Sequence, residues 1–344
     1  MRSRKRGADM YNVTVLGAGT WGTALAILLS NNGHKVTLWS KLEREVSALT
    51  ACRDNIPNLP GAKLPEGVVV TGDFKEALSD ADLIVSTVAS PFVRETAAAA
   101  KPYITAGKVI VNAAKGIEER TMKTLTEVIS EELPGADVAV LSGPSHAEEV
   151  SRGIPTTCVV GAKTKKTATF IQDIFMTEFF RVYTNPDITG IELGGSIKNV
   201  IALAAGVVDG LSFGDNTKAA LMTRGIAEIM RLGVAMGCRA ETFAGLSGIG
   251  DLIVTCTSKH SRNRNAGYLI GKGLTMEEAM KEVNQVVEGV YCAKAALALS
   301  KKYNAQMPIV EQVNLVLFEH KDPRTAVSDL LLRDRTIENS SLEW

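Results

Sequence analysis

The chain has 344 residues, of which 45% are apolar and 22% charged, with 38 Lys+Arg set against 38 Asp+Glu. That length exceeds one comfortable hydrophobic core and points to roughly two domains, while the composition excludes the disordered and fibrous classes. Equal numbers of opposite charges exclude a global basic field for nucleic acid or an anionic membrane, so any anion recognition has to be local.

Residues 1–10 carry Arg2, Arg4, Lys5 and Arg6, but no apolar stretch with a cleavage site follows, so they read as a solvated basic arm. Strand character then recurs at Asn12–Leu16, Lys35–Trp39, Val68–Thr71, Leu83–Thr87, Lys108–Asn112 and Val138–Leu141. Helical composition fills the gaps at Gly22–Asn32, Glu43–Ala51, Asp73–Ala77, Pro91–Lys101 and Thr121–Glu132, the last with Met122, Leu125, Val128 and Ile129 at helical spacing. Strand-helix alternation predicts a parallel, doubly wound sheet covered on both faces.

A strand at Thr156–Gly161, a helix at Thr167–Thr177 and a strand at Arg181–Thr184 carry the sheet to about Pro186. From Glu192 the chain is rich in Ala, Leu, Met and Gly and reads as a bundle of helices. The expected division is a basic arm (residues 1–10), a sheet domain (11–190), an all-α domain (191–335) and a C-terminal tail (336–344), with the boundary near Asp187 to Gly194. No segment reaches the roughly 18 uninterrupted apolar residues of a membrane span. Five scattered cysteines (Cys52, Cys158, Cys238, Cys256 and Cys292) form no C-x-x-C pair, which fits reduced thiols in a cytoplasm.

Directly after the first strand stands Gly17-Ala18-Gly19-Thr20-Trp21-Gly22, opening a helix. The first glycine permits the tight turn, the second lets backbone approach a pyrophosphate, and the third lets helix pack on strand. The helix N-terminus adds free N–H groups and partial positive charge. The sheet domain is therefore expected to be Rossmann-type and to bind a dinucleotide. The second strand ends in Ser40-Lys41, where NAD-specific proteins usually place an acid against the ribose. A small polar residue and a cation suit a 2′-phosphate, so NADP is favoured, while nearby Glu43 and Glu45 leave NAD possible.

Four glycine-containing segments could carry chemistry: Asn112 to Gly116, Ser142 to Ala147, Gly194 to Asn199, and Gly245 to Asn265. The first two follow strands, where ligands of open α/β sheets bind. Lys115 points to that cleft unless it is merely an exposed loop lysine. Lys198 lies in a predicted helix among apolar and small neighbours, so it either snorkels out or is buried with a partner. Burial would lower its pKa toward the range of a general base, and a second cation such as Lys115 would push the same way. Asp251, alone among glycines and apolar residues, is either a helix N-cap or the group that orients Lys198 or a substrate hydroxyl. Ser261-Arg262-Asn263 opens another helix with Ser261 as candidate cap, an arrangement suited to phosphate, with a surface ion cluster or a small nucleic-acid patch as the competing readings. His34, His146, His260 and His320 have no metal spacing, so no metal site is expected.

Taken together the segments resemble the NAD(P)-dependent glycerol-3-phosphate dehydrogenase family in its bacterial form. The matching stretches are Gly17–Ala26, Ala114–Glu118, Ser142–Val150, Glu192–Ile201, Thr242–Cys256, Ser261–Asn263, Val286–Val290 and Met307–Ile309. The resemblance implies a cytoplasmic homodimer that supplies glycerol 3-phosphate for phospholipid synthesis, with its active site between a Rossmann and an α-helical domain. It implies that Thr20, Trp21, His34, Lys41, Val286 and Glu288 lie on the cofactor, and that Lys115 touches both cofactor and substrate. Gly143, Ser145, Asp251, Ser261, Arg262 and Asn263 would surround the glycerol phosphate, with Ala147 and Arg262 also near the dinucleotide. Lys198 matches the catalytic proton acceptor, supported by Asn199 and Thr255. Two rivals stay open: a β-hydroxyacid dehydrogenase, whose carboxylate substrate would not call for the Ser261-Arg262-Asn263 seat, and a non-catalytic NAD(P)-binding sensor.

Overall fold

The computed structural model describes residues 10–55, 59–335 and 337–338; the arm up to residue 9 and most of the 336–344 tail lie outside these. Eight strands form one sheet: β1 (Asn12–Leu16), β2 (Lys35–Trp39), β3 (Val69–Thr71), β4 (Leu83–Ser86), β5 (Val109–Asn112), β6 (Asp137–Ser142), β7 (Thr156–Gly161) and β8 (Phe180–Asn185). Their order is β3-β2-β1-β4-β5-β6-β7-β8. The first six are parallel neighbours in the doubly wound order of dinucleotide-binding sheets, with the reversal between β1 and β4.

Side chains alternate across this sheet as strand geometry demands. Val13, Val15, Leu83, Val85 and Val111 pack with the helix Thr20–Asn31 on one face, whereas Leu16, Ile84, Ile110 and Val138 pack with Val93–Ala100 and Leu125–Glu132 on the other. Both faces are thus dry, which explains strands that read as continuous apolar runs.

Two local expectations change. β7 pairs antiparallel with β6, because only the short helix Ala147–Val150 joins them, too little for a parallel crossover. β7 and β8, joined by the helix Lys165–Phe175, are parallel again. The helix expected from Thr121 begins at Leu125: Thr124 and Glu127 form a capping box, and Met122 sits at φ 60° in the turn before it, packing instead on the helical core.

The helix Ile188–Gly210 begins the all-α domain and forms its centre. Its apolar stretch, mean hydropathy 1.5, is long enough to cross a membrane, but all of it is buried inside the protein, so it is a core helix. Glu192, Lys198, Asn199 and Asp209 interrupt its apolar residues, so it is no uninterrupted run of membrane-spanning length. Asp187 caps it through Gly190 N at 3.0 Å, and its other oxygen takes Arg239 N at 2.9 Å and Thr242 Oγ1 at 2.7 Å. The helix Arg262–Gly271 crosses it at backbone contact: a Cβ at Gly206 would stand 1.9 Å from Arg264 O, and one at Gly267 1.9 Å from Leu203 O. Those two glycines bring the start of the Arg262 helix beside Lys198.

Glu192 fastens this helix to the sheet domain. Its buried carboxylate accepts from Thr126 N at 2.9 Å and from the Thr126 hydroxyl, and burial pushes its pKa up to about 7.

Candidate active site

A cleft of about 1110 Å³ runs over the carboxyl ends of β1, β2, β4 and β5 and is roofed by the helical domain. At one end lies the glycine turn. Gly17 adopts φ +108°, a left-handed conformation that favours glycine, and Thr87 Oγ1 donates to the carbonyls of Leu16 and Gly17 at 2.9 and 3.0 Å, bracing the turn from β4. A Cβ at Gly22 would meet Gly17 O at 1.8 Å, so the third glycine serves close packing and does not line the cleft.

Gly19 differs. Among the described residues a Cβ there would meet nothing within 4 Å, and no side chain caps the helix that starts at Thr20. The open space above unpartnered first-turn N–H groups fits a pyrophosphate. Thr20 and Trp21 line the same wall, Trp21 Nε1 donating to Ala113 O at 3.1 Å.

At the other end the two domains meet around one carboxylate. The chain turns through a π-helical segment, Leu246–Gly250, directly into the helix Asp251–Thr257. Asp251 therefore enters as the first helical residue, not as a cap. Its Oδ1 accepts from Lys198 Nζ at 2.8 Å and its Oδ2 from Lys115 Nζ at 2.7 Å. Thr255, one turn on, accepts from Lys198 Nζ at 2.5 Å and donates back to Asp251 O at 2.6 Å. Lys115 also donates to Gly143 O at 3.0 Å, which brings the β6 loop in; Gly143 itself, at φ +139°, does not line the cleft.

Burial decides the charges here. Lys198 is 4% exposed and Asp251 1%. Desolvation brings the Lys198 ammonium down to about 8; Asp251 pulls it back up and Lys115 pushes it further down. Burial works to raise Asp251, but the two lysine charges outweigh it and hold the carboxyl below its ordinary range. An ammonium that gives up its proton near pH 8 beside a fixed carboxylate can return and take up a proton in turn.

Next to this pair, Ser261 caps the helix Arg262–Gly271, accepting from Arg264 N at 3.2 Å. The Arg262 side chain makes no hydrogen bond or ion pair among the described residues and reaches solvent in the cleft. A free guanidinium beside helix N–H groups suits a phosphate. Asn263 is held rather than free: it donates to Asn199 Oδ1 at 3.0 Å and accepts from Gly289 N at 2.8 Å. Ser145, Ala147, Val286 and Glu288 line the cleft, Glu288 accepting from Ser90 N at 3.1 Å and from the Ser90 hydroxyl across the domains.

His34 is not brought to the site. It precedes β2, at the amino end of the strands, where Nε2 meets Ile174 O at 3.0 Å under Tyr11. Ligands of such sheets bind at the carboxyl ends, so its place in the chain already held that signal. Conversely, Glu95, His146, Lys259 and His260 line the cleft without having been given a role. His146 was visible beside Ser145; it is packed near the His260 ring, and desolvation together with Lys198 and Lys115 lowers its pKa.

A turn fitted to a pyrophosphate facing a buried lysine of lowered pKa places the chain among two-domain nicotinamide-dependent dehydrogenases. Family models described as the N-terminus and the C-terminus of NAD-dependent glycerol-3-phosphate dehydrogenase match residues 12–168 and 187–328. The chain belongs to that family. It is 59% identical over 335 residues to the glycerol-3-phosphate dehydrogenase [NAD(P)+] of Agathobacter rectalis, covering 97% of this chain and 100% of the relative. The corresponding protein of Fusobacterium nucleatum is 56% identical over 334 residues, covering 96% and 100%. The crystal structure of glycerol-3-phosphate dehydrogenase from Coxiella burnetii superposes with a TM-score of 0.91 at 38% identity, covering 94% of this chain and 99% of that one.

Proposed function

We infer that the chain interconverts sn-glycerol 3-phosphate and dihydroxyacetone phosphate with NAD(P), and that Lys198 is the group that moves the proton. The observation that carries this reading is the buried Lys198–Asp251 pair, with Thr255 on the same nitrogen, at the end of a cleft that starts on the glycine turn. The nicotinamide, when bound, accepts the hydride from the substrate C2 or returns it. Gly17, Gly19, Thr20 and Trp21 would hold the dinucleotide at its pyrophosphate, with Lys41, Ala147, Val286 and Glu288 along its length.

In oxidation, neutral Lys198 takes the proton of the C2 hydroxyl; in reduction its ammonium returns one to the developing alkoxide. Asp251 and Thr255 hold the Lys198 nitrogen in one place, which supplies orientation. Lys115 keeps a positive charge beside the reacting oxygen. Arg262, with Ser145, Ser261 and Asn263 nearby, anchors the phosphate and so positions C2, while Asn199 supports Asn263.

NADP use is favoured by Ser40-Lys41, and a homodimer and a cytoplasmic setting belong to the same reading; the five cysteines are all free, as a reducing compartment requires. Following NAD(P)H absorbance with dihydroxyacetone phosphate against a panel of 2-keto and 3-keto acids tests the activity. Consumption only with the keto acids would overturn the substrate, and consumption with none would leave a nucleotide-binding sensor.

A further inference from the structure

We propose that Glu95 sets the balance between phosphorylated and unphosphorylated dinucleotide by competing with the adenosine 2′-phosphate for Lys41. The proposal rests on the dinucleotide reading of the cleft. In sheets of this order the adenosine ribose lies at the carboxyl end of β2, and Lys41 is the cleft cation that follows that strand. Its Nζ is 2.5 Å from Glu95 Oε1. Glu95 comes from the other side of the switch point, in the first turn of the helix Val93–Ala100, and lines the same cleft.

The neighbouring hydroxyl is already engaged: Ser40 Oγ donates to Glu45 Oε2 at 2.6 Å and accepts from Leu42 N at 3.1 Å. Lys41 is thus left as the group that can change partners. Its pair with Glu95 is exposed, 65% and 64% by side chain, and exposed pairs are held weakly. A phosphate monoester carries close to two negative charges near neutral pH. Arriving at Lys41, it exchanges that weak pair for a stronger one and meets repulsion from the Glu95 carboxylate. A ribose with a free 2′-hydroxyl meets neither effect. Glu95 therefore acts against NADP alone and narrows the preference that Lys41 creates, which keeps both dinucleotides usable.

Calorimetric titration of NADPH and NADH into wild-type protein and Glu95→Gln, without substrate, tests this. NADPH should bind the variant roughly three- to tenfold more tightly, NADH should be unchanged, and the gain should shrink as salt is raised. In a Lys41→Ala background Glu95→Gln should lose most of that selectivity. Equal tightening of both nucleotides, or none, overturns the role of Glu95 while leaving the dinucleotide site intact. Wild-type protein that binds neither nucleotide would instead overturn the reading on which the proposal rests.

Discussion

Lys198 hangs from Oδ1 of Asp251 at 2.8 Å, and because Lys115 holds the other oxygen at 2.7 Å, one buried carboxylate serves two cations from different domains. Two positive charges against one negative leave the cluster eager to release a proton, and Lys198, the more buried lysine, is the one brought down to about 8. The same contact joins sheet and helical domains, so the proton-moving group is fully framed only when both are docked.

The pH dependence follows from that value. Below about 8 Lys198 is an ammonium fit to protonate an alkoxide; above it, a free amine fit to take a proton. Rate measurements in both directions should show glycerol 3-phosphate oxidation rising through pH 8 and dihydroxyacetone phosphate reduction falling. Lys198→Met should lower turnover roughly 10²–10⁴-fold in both directions while NAD(P)H still binds. Near-normal turnover in that variant would remove Lys198 from the chemistry.

Asp251→Asn keeps the shape but removes the negative charge. The attraction that raises the Lys198 pKa is lost, while desolvation and Lys115 continue to lower it, so the variant's pH midpoint must move below that of the wild type. Bulk turnover would also fall, but a merely structural role would leave the midpoint where it was. A profile of kcat against pH for the reduction separates the two.

Arg262→Ala should act on substrate binding. A hydrogen bond to a charged group contributes about 1.5–3 kcal/mol, so KM for dihydroxyacetone phosphate should rise by roughly one to two orders of magnitude. Any turnover of unphosphorylated dihydroxyacetone, which has no phosphate for Arg262 to hold, should be hardly affected. An unchanged KM for the phosphorylated substrate would take the phosphate away from Arg262.

Much of this was readable in the chain because the signals are local. Gly17, Gly19 and Gly22 announce a turn whose every atom lies within six residues, and Lys198 stands out against an apolar helix. The pairings were not readable: Lys115 and Asp251 are 136 residues apart and Ser90 and Glu288 198, and no periodicity relates them. Asp251 was left between cap and partner because a cap and a π-turn entry look alike as glycine-rich sequence. The reversal of β7 depended on how little chain separates it from β6, a matter of connection length rather than residue type. Glu95 carried no local mark at all, since its meaning comes from the strand it faces.

A last prediction concerns stability. Glu228 is 3% exposed, and its carboxyl accepts from Ile309 N at 2.8 Å and Val310 N at 3.3 Å, capping the helix Pro308–Phe318 from another helix. Burial pushes its pKa up from 4.5 to about 7, the two amides working against the rise. A folded pKa above the unfolded one means that the native state binds the proton more tightly. The contribution is fully present below about pH 4.5 and is lost as pH climbs through 7, where a charge must be buried. Glu228→Gln cannot ionise and keeps one acceptor oxygen, enough for one of the two amides but not for both. Whatever the offset from the lost amide bond, its stability relative to the wild type in urea denaturation should rise by about 2 kcal/mol between pH 5 and pH 8. Comparing the two proteins at each pH cancels the similar rise at Glu192, and a difference that stays constant with pH would show that Glu228 does not titrate in this range.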